Sequence, residues 1–540
     1  MLKCSICHEH LPLRSNRAVR DEYDRQSRYL QAPAPVGPSC REPTCKNFGI
    51  PVPESEGAYI RFGQTTAGSQ RYRCKACGCT FADEPTSVTA RQRKPHKNRD
   101  IFMLIVNQVA ITRILETADI GVDTFYRKLR FIHEQCQAFA GHRERRLWEG
   151  RIQLPVMSLS IDRQHYIVNW AKRTDRRTVQ LNAIGTADIR TGYVFGMTLN
   201  YDSSTIGTDV EADAAAVGDN LLPGAFRKWA RVWLQEDYRE AIAESVKRKK
   251  ARDDAREKAG ATVRDKMDLD VGLEYIDALS RDDIERSDMK DASIGLPKFG
   301  VQVHEQYVMQ GHFMLLEKLV RTAPAVRLYM DQDSGFRAAA LTAFGQRIKA
   351  RVADVFYVKV EKAATAYEKK AAVAEAQRAL EEFMSSSGIS DRDRALIELM
   401  KLEIAASSKF TRWSDRWARH PAPIASEPDK RICWLTDMGG HTPDEQARLM
   451  LKATLHPIDK FFMQTRRRVR LAERPLQAAR REGIRWNGYG AYNPEVLQRC
   501  LEIYRTYYNF CLRGKDKKTP AMRLGLAKTA IDPHTILHYR

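Results

Sequence analysis

The chain has 540 residues, too many for one ordinary domain and enough for about three or four at roughly 150 residues each. A hydrophobic share of 43% and a charged share of 29% exclude wholesale disorder; no apolar run of about 18 residues offers a membrane span, and the opening MLKCSICHEH lacks the apolar stretch of a signal peptide. Lys plus Arg number 89 against 68 Asp plus Glu, and the net charge of +21 points to a polyanionic partner, nucleic acid before membrane.

Seven of the 11 cysteines (Cys4, Cys7, Cys40, Cys45, Cys74, Cys77 and Cys79) fall in the first 79 residues, whereas Cys136, Cys433, Cys500 and Cys511 are scattered. A secreted disulfide framework would not be so lopsided, so a reducing cytoplasm with a local metal site is expected. Cys4-x2-Cys7, with His8 and His10 close by, offers a second zinc set but has no obvious second pair. Residues 14–38 are polar and arginine-rich and end in APAPVGP, so 1–39 reads as a Cys pair and linker. Cys40-x4-Cys45 and Cys74-x2-Cys77 then form two thiolate pairs, the four ligands that tetrahedral structural zinc takes. Buried cysteines without metal are the competing account, but small polar loops offer no apolar core for thiols. Cys79 is a spare ligand.

The second pair lies in GQTTAGSQRYRCKACGCTF. This string resembles the zinc-ribbon head of bacterial insertion-sequence transposases of the DDE type, in which TAG-x-QRY-x-C-x-x-C precedes a helix-turn-helix. The resemblance is specific over residues 40–139 and patchier beyond. It divides the N-terminal part into a zinc ribbon (40–90) and a helix-turn-helix DNA-binding unit (91–150), joined by the basic strip RQRKPHKNR. Residues 111–129, ITRILETADIGVDTFYRKL, suit that motif on their own terms. Ile114 and Leu115 mark an apolar face, Ala118 is small at the helix crossing, and Gly121 permits the turn. Val122, Phe125 and Leu129 give the second helix its stripe, leaving Asp123, Thr124, Arg127, Lys128 and Arg130 for phosphates and bases. A plain helical hairpin is the bland alternative.

Between residues 156 and 202 the period changes to four strand-like segments, MSLSID, HYIVNWA, TVQLNAIGTAD and GYVFGMTLNYD. A charged helical block follows, including VKRKKARDDAREK, whose ordinary reading is a solvated helix face. Strand-like VRLYMD (Val326–Asp331) and ADVFYVKV (Ala353–Val360) then flank a helix. Two Ala-, Glu- and Lys-rich helical stretches occupy 363–408, the apolar ICWLTD ends at Asp437, and a basic helix starts near Pro457. Phosphodiester cleavage on two metal ions needs carboxylates that converge from separate elements. An RNase H-like fold places one on its first strand, one after its fourth and one on a later helix. Asp162 and Asp331 end strand-like segments in that order. For the third acid the resemblance implies a Glu followed seven residues later by Arg or Lys; Asp459 and Arg466 keep the spacing, with Asp in place of Glu. Seven residues is about two helical turns, so the pair would share a face. Glu473, seven residues before Arg480, competes. Asp333 is the second choice for Asp331, and Asp188 and Asp437 end other apolar segments, although a lone Asp there is ordinarily a turn residue. Asp331 and Asp459 stand 128 residues apart, longer than the family pattern.

From residue 456 to 540 there are 18 Lys or Arg against seven Asp or Glu, a net of +11. Trp486, Tyr489, Tyr492, Tyr504, Tyr507 and Tyr508 lie among these arginines and would suit stacking on unpaired DNA ends. The alternative is that Leu501, Tyr504 and Tyr508 form a helix's core face. The closing Tyr-Asn helix and Thr-Pro-x4-Gly turn resemble those of transposases and retroviral-type integrases. The expected architecture is multidomain α/β, with an RNase H-like mixed-sheet catalytic core at 151–202 and 300–480. It carries insertions at 203–299 and about 363–440, and a basic helical region at 481–540. The resemblance implies a cytoplasmic, nucleoid-associated transposase that binds the element's terminal inverted repeats and target DNA as double-stranded partners, acts as a homo-oligomer on them, and has no membrane partner. Asp162, Asp331 and Asp459 would hold Mg2+ or Mn2+; Thr124, Arg127, Lys128, Arg466 and Arg470 would contact DNA. A domesticated DNA-binding regulator and a nuclease that cuts without joining are the rival classes.

Overall fold

The computed structural model describes residues 2–3, 10–11, 13–31, 38–48, 50, 52, 55, 57–66, 69–82, 88–89, 92–169, 178–243, 250, 254, 263–279, 300–361, 365–409, 415–473, 476–477, 485–486 and 493–539. Cys4, Cys7, His8, Tyr489, Tyr492, Arg480 and most of the charged run at 246–258 lie outside them.

The expected linker contains a helix, α1 (Asn16–Ser27), begun by Ser15 Oγ accepting from the Ala18 N–H. Glu22 on it is fully buried and ion-paired with Arg25 (2.6 Å) and Arg231 (3.0 Å). Two of the charges that make this stretch read as solvated linker, Glu22 and Arg25, are paired inside the protein. Strands β1 (Tyr59–Gln64), β2 (Gln70–Cys74) and β3 (Thr80–Ala82) form a separate antiparallel sheet around a small core of Cys40, Tyr59, Cys74 and Phe81.

Helices α2 (Asn98–Ile105), α3 (Ile111–Ala118) and α4 (Val122–Trp148) follow. Ile114, Ala118, Phe125 and Leu129 are buried as their spacing predicts, but Val122 is 52% exposed. The turn between α3 and α4 is made by Asp119 in the left-handed region (φ 50°) rather than by Gly121. Helix α4 continues for 27 residues because its buried stripe does, through Ile132, Cys136, Phe139 and Leu147.

The remainder is built on a seven-stranded mixed sheet. Strands β4 (Met157–Asn169), β5 (Thr178–Asp188) and β6 (Val194–Leu199) form an antiparallel meander. Four helices, α5 (Gly207–Val217), α6 (Val263–Leu279), α7 (Glu305–Val320) and α8 (Ser334–Ala343), lie among the elements that follow, with strand β7 (Val326–Asp331) between the last two. Strand β8 (Ala353–Val360) leads to α9 (Ala366–Ser387), α10 (Arg392–Ala405), β9 (Trp417–Arg419) and β10 (Lys430–Trp434). Helices α11 (Pro443–Leu451), α12 (His456–Arg468) and α13 (Pro494–Phe510) follow. The sheet order is β9-β10-β8-β7-β4-β5-β6, with β7 parallel to both β4 and β8 and the others antiparallel. Two of the four strands expected between 156 and 202 are therefore one: MSLSID and the HYIVN that opens the second run together as β4, paired with β5 from Leu159 to Asn169. The later insertion is not purely helical either, since β9 and β10 extend the sheet.

One sheet face is covered by α7, where His312 Nε2 lies 2.7 Å from Thr186 Oγ1. The other carries α11 and α12; Tyr329 Oη donates to Leu449 O (2.8 Å), and Gly185 lets α12 rest on β5, since a Cβ there would lie 2.9 Å from Ile458 Cδ1. The edge strand β6 is closed by α13: the buried Asn509 accepts from Val194 N–H (2.9 Å) and donates to Val194 O (2.8 Å). In the following turn Thr519 caps a short helix (Pro520–Leu524) that Gly525 ends at φ 87°.

Glu144 of α4 and Arg505 of α13 meet in the core, Oε1 to Nη1 at 2.6 Å, with Glu144 wholly buried. Tyr193 Oη donates to the same carboxylate (2.6 Å), as does Tyr29 from the end of the α1 segment, and Arg505 also donates to Val194 O (3.2 Å). Burial, with the carboxylate beside them, pushes both phenols well above their ordinary value. Glu144→Ala would leave Arg505 buried and unpaired, costing about 3–5 kcal/mol. Urea unfolding of the variant should show that loss, and the double replacement Glu144→Leu with Arg505→Met should recover most of it.

Candidate functional site

The four expected zinc ligands converge. Among the described residues, Cys40, Cys45, Cys74 and Cys77 form the group able to hold a metal ion, their sulfurs all within 4.8 Å of one another. Cys40 and Cys77 Sγ are 3.5 Å apart, and Cys45 and Cys74 3.7 Å. Ligands about 2.3 Å from a tetrahedral centre would lie about 3.8 Å apart, so the cluster has the size zinc needs. Gly78, at φ 76°, closes the knuckle with its N–H on Cys74 O (2.9 Å). Desolvation pushes the Cys74 thiol up, but Asn47 Nδ2 (3.3 Å) and the backbone N–H groups of Cys77 and Ala76 outweigh it and bring it down to about 6, favouring the ligating thiolate. Cys40, with desolvation first among its causes, stands at about 12. Cys79 is exposed and outside the group.

In the helical unit Thr124 is partly exposed and Arg127 and Arg130 are exposed, at the start of α4. Lys128 is different. It is buried, and its Nζ donates to Asn98 Oδ1 (2.6 Å) and Lys94 O (3.0 Å), tying α4 to the start of α2. The expectation that Lys128 contacts DNA is corrected on that ground. A helical position three residues after Phe125 faces the core, and the long lysine stem reaches a polar pocket there.

The first two acids come together on the mixed sheet. The parallel pairing of β7 with β4 ends at Met330 and Ile161, and Asp331 and Asp162 are the next residues on the two strands. They share a face because each is one step past a paired residue. Asp162 pairs with Gly185 across β4 and β5, so this is the face on which Ile458 and Phe462 of α12 lie. Asp162 is buried and sits mid-strand, at the point where its parallel neighbour stops. Its Oδ1 accepts from the Arg163 N–H (2.7 Å). Asp459 lies in the first turn of α12, next to Ile458. Two turns on, Arg466 reaches the β4 side chain two residues from Asp162. With its amide oxygen turned toward the guanidinium, Gln164 accepts from Arg466 Nε (3.2 Å) and Nη1. Arg466 therefore reaches β4 on the face that carries Asp162. The oxygens of Asp162, Asp331 and Asp459 are not all within the 4.8 Å that the four sulfurs meet.

The other acids are taken by local structure. Asp333 caps α8, accepting from Gly335 N–H (2.7 Å) and Phe336 N–H (3.3 Å). Asp188 accepts from Thr191 N–H and Oγ1 in a turn, and Asp437 accepts from Gly439 N–H. Glu473 follows the end of α12 and pairs with Arg470 (2.6 Å), so neither lies on that helix. Sequence reasoning missed Arg163. On the opposite face from Asp162, it pairs with Glu305 (2.6 Å) and Asp333 (3.2 Å). Desolvation works against its charge, but Asp333, Glu305, Asp331 and Glu274 together raise it above the ordinary arginine value. Its neighbours in sequence are no guide, because its partners come from α7 and the β7–α8 loop. Tyr504, Tyr507 and Tyr508 are buried, and Tyr504 stacks on Phe461 of α12. They form the core face of α13, not a platform for bases.

Replacing Cys74 with Ser should lower bound zinc by one ion per chain in elemental analysis and make residues 40–82 sensitive to protease, since so small a core cannot hold the unit alone. No family model matches this chain, and neither a curated protein nor a solved structure does.

Proposed function

We propose that this chain is a DNA transposase of the DDE type, with an RNase H-like catalytic core that cuts element ends and joins them to target DNA. The single observation that carries the reading is the adjacency of Asp162 and Asp331 on one sheet face, with the first turn of α12 laid on the neighbouring strand. Asp162 belongs to the first strand of the sheet in chain order, Asp331 to the fourth, and Asp459 to a later helix, the order such a core requires. The donors are of the type a hard divalent cation takes: carboxylate oxygens of adjacent strands on one sheet face. Asp162 and Asp331 would hold Mg2+ or Mn2+, with Asp459 as third ligand. Such an ion, when bound, polarises the scissile phosphate and makes a water or a 3′-hydroxyl a better nucleophile.

The chain's own groups have separable tasks. Arg466 lies over the acid-bearing strand and would neutralise the phosphate beside the scissile bond. The exposed start of α4, with Thr124 and Arg127, would enter the groove of the terminal repeat, and the zinc ribbon would extend that footprint. The net +21 supplies sequence-independent affinity for both DNA partners. Two ends must be held at once, so the active form would be a homo-oligomer on DNA, in the cytoplasm beside the nucleoid. Among the described residues no helix is long and apolar enough to cross a membrane. The spread of the three carboxylates beyond 4.8 Å favours one rival, a regulator that binds element ends without cutting them.

One assay separates these readings: purified protein, Mn2+, a labelled element end and a plasmid target. Strand-transfer product that disappears in Asp162→Ala is the expected result. Cleavage without joining would indicate a nuclease, and binding alone a regulator. In the same preparation, Arg127→Ala should weaken end binding and reduce the logarithmic salt slope by about 1. Lys128→Ala should instead lower stability by about 1–3 kcal/mol, through the buried bonds it loses.

A further inference from the structure

The N-cap residue of helix α12 is Leu455, whose side chain can accept nothing; Thr454 Oγ1 takes the His456 N–H (3.1 Å), but the Leu455 N–H needs a partner from elsewhere. It finds one 28 residues upstream. Glu427 is wholly buried, and its Oε1 accepts from Leu455 N–H (2.8 Å), His456 N–H (2.9 Å) and Thr454 Oγ1 (2.7 Å). Its Oε2 takes the buried Lys430 Nζ (2.8 Å), which also donates to Ala453 O (2.6 Å). The clamp passes directly to the proposed third acid, because Asp459 N–H is bonded to Leu455 O (3.0 Å).

Glu427 belongs to the long insertion between β8 and α12. It sits in a tight turn closed by reciprocal bonds with Ile424 (2.8 and 3.1 Å), and Lys430 opens strand β10. Strand β10 in turn pairs with β8, so the clamp is anchored in the same sheet that carries Asp162 and Asp331.

We propose that Glu427, held by Lys430, is a positioning residue that fixes Asp459 relative to the two acids on the sheet, and that delivering it is one task of the insertion. The proposal rests on the reading of Asp459 as third metal ligand. An acid on a helix is aimed by the first turn of that helix, and a carboxylate on two N–H groups of that turn fixes its rotation and depth. Removing the clamp loosens Asp459 without touching any group that meets DNA.

The test uses the full zinc-loaded chain. Glu427→Met with Lys430→Met removes acceptor and cation together, so that no buried charge is left unpaired. Glu427→Gln with Lys430→Met restores an acceptor for the Leu455 and His456 N–H groups. In the Met/Met variant, Mn2+ binding measured by calorimetry, and the Mn2+ concentration for half-maximal cleavage, should both shift by about 10–100-fold, with binding of the element end unchanged. The Gln/Met variant should recover to within a few-fold of wild type. A Met/Met variant that unfolds earlier yet binds Mn2+ as wild type does overturns the proposal. If that variant does not fold, Glu427→Asp with Lys430 kept, one methylene short of the N–H groups but still paired, is read by the same two measurements. Asp459→Ala, run alongside, tells the two ideas apart. Wild-type Mn2+ binding and cleavage in Asp459→Ala sink the third-ligand reading and the positioning role with it. Loss in Asp459→Ala beside wild-type behaviour in the clamp variants sinks the positioning role alone.

Discussion

The buried carboxylate of Glu144 is the point on which the molecule's separate parts are joined. It takes the Arg505 guanidinium from the C-terminal helix, the Tyr193 phenol from the turn before β6 and the Tyr29 phenol from the N-terminal segment. An isolated carboxylate could not be carried into so dry a place, since its desolvation costs several kcal/mol. Three donors converging on it remove that penalty only if all four segments arrive together. The same convergence explains Gly141, one turn before Glu144 on α4. A Cβ there would lie 2.1 Å from Tyr29 O, so any larger residue would push the N-terminal segment off the helix and take its phenol with it. Asn509, one turn after Arg505, then seals the edge of β6.

One consequence is mechanical continuity between the helical unit and the sheet. Helix α4 carries the partly exposed Thr124 and the exposed Arg127 at one end and Glu144 near the other, so the surface proposed for DNA is continuous with a helix anchored in the core. A second link runs through α12. Its last carbonyl, on Arg468, accepts from Gln108 N–H (2.7 Å) in the loop between α2 and α3, and Arg468 Nη1 donates to Asn107 Oδ1 (3.1 Å). The helix bearing Asp459 is thus held at its start by Glu427 and at its end by the loop between α2 and α3. Stiffness of this kind would serve the proposed activity, because preorganisation lowers the cost of placing a scissile bond at a set distance from a bound sequence.

How much of this was legible in the sequence depends on whether the signal was local. The cysteine pairs were, since two short knuckles need only their own spacing to be recognised, and the four sulfurs meet. The start of α12 was legible because Pro457 suits a first helical turn, and the Thr519 to Gly525 turn because its caps are written in neighbouring residues. The linker reading of residues 16–27 failed because Glu22 and Arg25 look solvated until Arg231, some 200 residues away, is seen beside them. The split of β4 into two strands failed at Arg163 and Gln164, polar residues in mid-strand that read as a turn. Their partners, Glu305, Asp333 and Arg466, come from three distant elements. Lys128 failed because residue type said surface and helical phase put it inside, whereas the same phase makes Leu501, Tyr504 and Tyr508 the core face that their spacing offered.

The 128-residue gap between Asp331 and Asp459 looks like an objection to a shared site, but separation along the chain is the wrong measure. Asp331 is placed by the register of β7 on β4, and α12, which bears Asp459, by its seat on Gly185; neither seat is set by how many residues lie between. What intervening residues must do is leave those two seats free, and here they do more. From the later insertion, β9 and β10 extend the sheet beyond β8. From the earlier one, α6 meets Trp417 of β9 through Tyr275 (3.0 Å) and accepts from Gln332, the residue after Asp331, at Val271 O (3.1 Å). The two insertions therefore lean on each other and on the loop that follows the second acid. An insertion serving only as spacer would be free of such contacts. The buried Tyr275, Asp415 and Glu427 show that these segments are part of the scaffold around the acids, and their length is what lets them reach both sides of it.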